Sequence, residues 1–378
     1  MSGPVAVETA AAPAPRPEPG AGAIPAELVR SLVAAAAAAP SGGNCQPWRF
    51  VWSAPARLQC FHDRARSASF LDFEHRAAYL ALGAAVENVV LCAGALGLSA
   101  RVLAFPGPDE DHVCDVLLAP GPPAAPDRLW LAPFVPVRAT NRRVSRRRPL
   151  AAGDVSTLES VVDDPAVRLQ VLTGEGALDE IGAILGAGDR FRFFDERLYR
   201  EMMSEMRWSP REAEETRDGV DVATLELGEV DEAGVRLLSS WAAVRFLRTI
   251  GAGGALEDLS RKAVAAASAV ALATCEGTSP RDYFRGGRAV QRVWLAATAL
   301  GLAVQPMSAL PYVFARLEGG AGFEPPQRAT LLALRERYAR LFDVGPRRGE
   351  LLLFRLARAG APRTRSLRRP PEAVLTFA

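Results

Sequence analysis

Two short stretches concentrate polar side chains that a packed core does not need. The first runs Pro40-Ser41-Gly42-Gly43-Asn44-Cys45-Gln46-Pro47. Its small residues let backbone approach a flat ligand closely, and a Ser hydroxyl and Asn amide can bond that ligand's polar edges. A capped turn without a ligand is the alternative. The second is Arg138-Ala139-Thr140-Asn141-Arg142. Two guanidinium forks around a short hydroxyl and an amide suit a phosphate. Here the alternative is a solvated basic run, since Arg143, Arg146, Arg147 and Arg148 follow.

Other constellations are weaker. His62-Asp63 and Asp72-Phe73-Glu74-His75 read as surface ion pairs or turn polars rather than acid–base pairs. Three histidines and no CxxC pair give no metal site. Cys45 lacks a resolving partner and reads as a small packing residue. There is no Ser/His/Asp set and no phosphate loop with Lys-Ser/Thr, and Gly251-Ala252-Gly253-Gly254 reads as a helix terminator. No protein catalytic group stands out.

The elements that must position these residues follow from periodicity. A helix begins near Pro25 and stops before Pro40. Trp48 to Trp52 and Leu58 to His62 form a hairpin. Ala77 to Leu98 is a core helix, and strands follow over 100–105 and 113–119. After the proline-rich connection through Pro126 come a helix near Asp154–Val162, a strand near Val167–Leu172 and a helical stretch from Ala177 to about Met206. Residues 207–232 are polar, acidic and weakly periodic, an excursion or lid. Helices resume at Ala233–Thr249, a strand spans Ala263–Thr274, a helix covers Gly287–Leu302, and Arg328–Phe342 and Glu350–Leu356 give a last helix and strand before a basic tail.

The chain also echoes itself. Residues 85–98 align without a gap on 289–302, nine of fourteen positions being identical, and Gly83 falls on Gly287. Ala/Leu-rich composition inflates such matches, but duplication is the favoured reading.

The turn at 40–48 resembles the APSxxNxQPW signature of nitroreductase-like FMN proteins. The repeated helix resembles that family's GxAxxNxxLAAxxLGLxS pattern, whose second copy leads into Gln305-Pro306-Met307-Ser308. Arg138 to Arg142 resembles its RxTNR opening, and Arg368-Arg369 its closing basic motif. The resemblance implies FMN bound by Pro40, Ser41, Gly42, Asn44 and Gln46 from one half. From the other half come Arg138, Thr140, Asn141, Arg142, Gln305, Pro306, Met307, Ser308, Arg368 and Arg369. Because the turn occurs only in the first half and the RxTNR, Pro306-Met307-Ser308 and Arg368-Arg369 elements only in the second, it implies a fused pseudo-dimer with one flavin site, like the Acg-like branch. The expected fold is α+β, a mixed, largely antiparallel sheet flanked by helices and duplicated within the chain. Its parts are a disordered tail (1–24), a first half (25–126) and a second half (127–378) carrying the excursion.

Composition agrees with a small-molecule partner. Lys+Arg of 45 against Asp+Glu of 43 leaves a net charge of +2, too little for the field that draws nucleic acid or membranes. Five scattered cysteines read as reduced cytoplasmic thiols, and the proline-interrupted start reads as a disordered tail rather than a signal peptide. The expected activity is FMN-dependent oxidoreduction of a small organic substrate, with NADH or NADPH as candidate electron donor. The alternative is an FMN storage or sequestration protein with a closed lid. The oligomeric expectation is a monomer or a homodimer of pseudo-dimers.

Overall fold

The computed structural model describes residues 24–320, 322–345 and 347–378. The expected N-terminal tail, save Ile24, lies outside them. Helix α1 (Ala26–Ala37) buries Leu28, Val29, Leu32, Val33 and Ala36 on one stripe and ends before Pro40. A 3-10 turn (Gly42–Asn44) leads into β1 (Trp48–Ser53), which alternates inward and outward residues and pairs with β2 (Arg57–His62). Helix α2 (Arg76–Ala95) is buried nearly all round, and β3 (Leu98–Ala104) and β4 (His112–Pro120) complete the first sheet. One window over Phe73–Ala95 is long and apolar enough to cross a membrane, but 83% of it is buried within the fold. It is a core helix.

The second part opens with α3 (Ala152–Ser160), β5 (Val167–Leu172), α4 (Glu175–Phe194) and α5 (Glu196–Glu205). The single helical stretch expected over 177–206 is thus two helices. Asp195 breaks it, its carboxylate accepting from the Leu198 amide at 3.0 Å as an N-cap. The excursion holds the two-residue strands β6 (Met206–Arg207) and β7 (Val220–Asp221), paired in parallel around α6 (Pro210–Thr216). Helices α7 (Glu229–Leu237), α8 (Trp241–Thr249) and α9 (Gly254–Ala265) follow, then β8 (Ala269–Glu276). The strand expected from Ala263 therefore starts at Ala269: residues 263–265 close α9, because an unbroken apolar run fits a buried helix end as well as a buried strand. Gly251, at φ +70°, ends α8.

Helix α10 (Pro280–Ala299) begins seven residues before the expected start, where Ser279 and Asp282 form a capping box ahead of Pro280. Next are β9 (Ala303–Pro306), α11 (Ala309–Glu318), α12 (Pro325–Ala339) and β10 (Arg348–Ala357). The basic tail ends in β11 (Leu375–Phe377), which pairs in parallel with β1, Phe50 opposite Leu375. The last strand of the chain thus joins the first sheet.

The two sheets repeat one topology. Their orders are β1-β2-β4-β3 and β5-β8-β10-β9, antiparallel throughout, with β11 added at the edge of the first. Each carries its long helix, α2 or α10, between its second and third strands. These two helices cross each other, and the contact is reciprocal. A Cβ on Gly83 would lie 2.0 Å from the Phe284 carbonyl oxygen, and one on Gly287 2.0 Å from that of Leu80. Phe284 and Leu80 each precede the partner glycine by three.

One turn further on, Arg292 Nη1 donates to Glu87 at 2.9 Å and Gln291 Nε2 donates to Asn88 at 2.7 Å. In the aligned copies position 87 matches 291 and 88 matches 292, so these are the same pairing seen from both sides. Such self-complementarity defines a two-fold contact. The chain is an α+β intrachain pseudo-dimer. Arg288 also binds Glu87, at 2.7 Å, and the two arginines hold this fully buried carboxyl below the usual carboxylate range despite desolvation.

Candidate functional site

A cavity of about 1210 Å³ opens between the two halves, above the roughly 300–1,000 Å³ usual for small-molecule sites. The first half supplies its turn and the start of α2. Pro40, Ser41, Gly42 and Asn44 line the cavity, as do Thr140, Arg142, Gln305, Pro306, Met307, Ser308 and Arg368. Sequence motifs from 60 to more than 320 residues apart thus meet around one space.

The turn is rigid. Ser41 Oγ accepts from the Gln46 amide at 3.0 Å, and Gly43 takes φ +52°, with an ideal Cβ there only 2.6 Å from the Glu205 carboxyl carbon. Asn44 Oδ1 accepts from Arg368 Nη1 at 2.8 Å while its Nδ2 donates to the Leu367 carbonyl at 3.1 Å. The flavin-type turn and the C-terminal segment are locked together.

Gln46, Arg138, Asn141 and Arg369 stand off the cavity wall. Gln46 donates to the Arg217 carbonyl at 2.7 Å and accepts from the Arg369 amide at 2.8 Å. Asn141 donates to the Gly360 carbonyl and accepts from the Arg143 amide, a brace between segments. Arg369 spends its guanidinium on the Ala373 carbonyl. Within the cavity wall, Arg142 donates to the Thr224 carbonyl at 3.0 Å and burial pushes its pKa down to about 10. The Met307 amide donates to Leu353, Ser308 Oγ bonds the same residue, and Gln305 accepts from Arg355. That strand end is held at both backbone and side chain.

Arg138 is the unusual residue. Only 5% exposed, it donates once, from Nη2 to the Ala38 carbonyl at 2.8 Å, and its guanidinium stacks 4.6 Å above Trp294, which lines the cavity. Its Nε and Nη1, and the Nε of Arg368, are buried with no hydrogen-bond partner among the described residues. Burial, then Arg368, then Arg365 drive the Arg138 pKa well down, and no acid among the described residues opposes them; burial alone lowers Arg368 to about 10. Buried guanidinium groups with orphaned donors have the chemistry that suits an anion.

The cavity lining also holds acidic groups, Asp72 and Glu205 among them. Asp72 accepts from the Ala77 and Ala78 amides at the start of α2, and burial raises its pKa to about 7. Glu205 is also raised by burial. Cys45 is pushed up to about 12, chiefly by burial, which keeps the thiol protonated and unreactive. Sequence reading missed Trp294, Arg66 and Glu205. Trp294 lies inside the echo, opposite Val90, where a lone aromatic replacement was the available signal.

The fold and site describe a cofactor-sized cavity between duplicated halves, and the comparisons supply the family. The Nitroreductase family profile matches residues 21–72. The Mycobacterium tuberculosis protein "Putative NAD(P)H nitroreductase MT3217" is 30% identical over 289 residues, covering 75% of this chain and 76% of that one. This chain belongs to the nitroreductase family. A second M. tuberculosis relative, "Uncharacterized protein MT1398", is 33% identical over 344 residues, 90% of this chain, which spans about half (47%) of that relative's length. Among solved structures, the "FMN and NADPH-dependent nitroreductase NfnB from sphigopyxis sp. strain HMH" is 15% identical with a TM-score of 0.36, covering 66% of this chain and 98% of that one.

Proposed function

We propose that this chain is an FMN-dependent oxidoreductase acting on a small organic substrate, with one FMN per chain held between halves 25–126 and 127–378 and with NADH or NADPH as donor. The observation that carries the reading is a basic cluster at the edge of the cavity, with Arg368 in the wall and Arg138 stacked on the wall residue Trp294. Orphaned guanidinium donors on Arg138 and Arg368, with Arg365 beside them and no acid to neutralise them, fit the phosphate of FMN. Bound there, FMN supplies hydride transfer through N5 to or from the substrate. The chain's own residues do the rest. Ser41 and Asn44 would border the ring and ribityl chain, the Gln305–Ser308 strand end would form a fixed wall, and the cavity volume would leave room for a substrate. Five free cysteines suit a reducing cytoplasm.

One observation favours the second reading, sequestration. The excursion supplies Asp218, Gly219, Val220 and Leu225 to the cavity wall and is tied down at several points, which restricts access. Purified protein should be yellow. Steady oxidation of NADH or NADPH with a nitroaromatic acceptor supports the enzyme; bound flavin without turnover supports storage; colourless protein that takes up no added FMN defeats both.

A further inference from the structure

The segment Arg217-Asp218-Gly219 belongs to the excursion, yet it bonds to the phosphate end of the cavity. The Arg368–Arg369 peptide unit is gripped at both poles. Arg217 Nε donates to its carbonyl oxygen at 2.7 Å, and Gln46 Oε1 accepts from its amide at 2.8 Å. Gln46 Nε2 closes the ring by donating to Arg217's own carbonyl at 2.7 Å. The next residue anchors this clasp. The Asp218 carboxylate takes Arg66 at 2.6 Å and Arg207 at 2.6 Å, while Arg66 Nε donates to the Cys45 carbonyl in the flavin-type turn at 2.8 Å. Both arginines hold Asp218 below the usual carboxylate range against desolvation. Arg217 itself sits at φ +52°, capping α6, a backbone state that a β-carbon disfavours and that the surrounding bonds fix.

We infer that Arg217 is a positioning residue for the cofactor phosphate: by fixing the Arg368–Arg369 peptide it aims the Arg368 guanidinium, so excursion and phosphate are coupled. The inference rests on the FMN reading above. Coupling of this kind is reciprocal: a docked excursion tightens phosphate binding, and phosphate binding steadies the excursion.

Riboflavin, which lacks the phosphate, isolates the effect. Dissociation constants for FMN and riboflavin are measured on the full-length apoprotein and on Arg217→Ala, Arg217→Lys and Asp218→Asn. Losing one or two such bonds should raise the FMN constant about five- to ten-fold in Arg217→Ala and Asp218→Asn, less in Arg217→Lys, and leave riboflavin unchanged. In the parent, FMN should slow hydrogen exchange over residues 207–228 more than riboflavin does. Unchanged FMN affinity, or equal loss for both ligands, overturns the coupling while leaving the FMN reading intact. A parent that fails to prefer FMN over riboflavin defeats the phosphate reading itself, and the inference with it.

Discussion

Replacing Arg138 by Met should move cofactor affinity and apoprotein stability in different directions. In the protein without ligand, Arg138 is a buried cation whose Nε and Nη1 lack partners and whose nearest charges are Arg368 and Arg365. Burying an uncompensated ion costs several kcal/mol. Against that stand its bond to Ala38, about 1 kcal/mol, and its stacking on Trp294, about 2 kcal/mol when desolvated. Arg138→Met keeps the volume and removes the charge, so the apoprotein should be as stable as the parent or more so. FMN binding should behave oppositely. A lost charge-assisted contact is worth about 1.5–3 kcal/mol, or roughly ten- to a hundred-fold in the dissociation constant. Calorimetric melting of the apoprotein and flavin fluorescence titration read the two quantities separately. A large drop in apoprotein stability with unchanged FMN affinity would refute the argument, because Arg138 would then be a structural strut and not a phosphate ligand.

The motifs of one site are split between the halves, so extracted flavin should approach one per 378-residue chain; a ratio near two means that the mirror site also binds. Gly287→Ala places a methyl 2.0 Å from the Leu80 carbonyl, and should cost about 1–3 kcal/mol or more by forcing α10 away from α2; an unshifted urea midpoint contradicts the crossing. His62 is held neutral, mainly by burial, its pKa lowered from 6.5 to about 4. Its folded pKa is depressed, so the associated stability is present above pH 6.5 and is lost as pH falls toward 4, on the order of 3 kcal/mol. His62→Gln should flatten that acid limb in urea midpoints taken from pH 7 to 4, and an unchanged limb assigns it to other groups.

Sequence by itself determined what depends on short-range rules. Pro25 and Pro40 bracket α1, bulky aromatic content marks β1, and Gly97 and Gly251 sit at positive φ past their helices. The echo of 85–98 in 289–302 announced the duplication, since a two-fold contact imposes the same small and branched residues on both helices.

Tertiary structure decided the rest. Apolar continuity could not separate the end of α9 from the start of β8, because Ala263 and Val264 are buried like the strand that follows. The basic tail hid β11, whose three residues become a strand only by pairing with β1, more than 320 residues away. The same limit applies in the site. Gln46 and Ser41 lie in one motif, but only packing shows that Ser41 faces the cavity while Gln46 turns to Arg217 and Arg369. Arg138 and Arg143 are alike in sequence. What separates them is Trp294 and the surrounding burial, which leave one with orphaned donors and let the other bond the exposed Ala361 carbonyl. A residue type fixes which bonds a side chain can make; the groups that compete for those bonds are fixed by segments distant in sequence, which meet only in the folded chain.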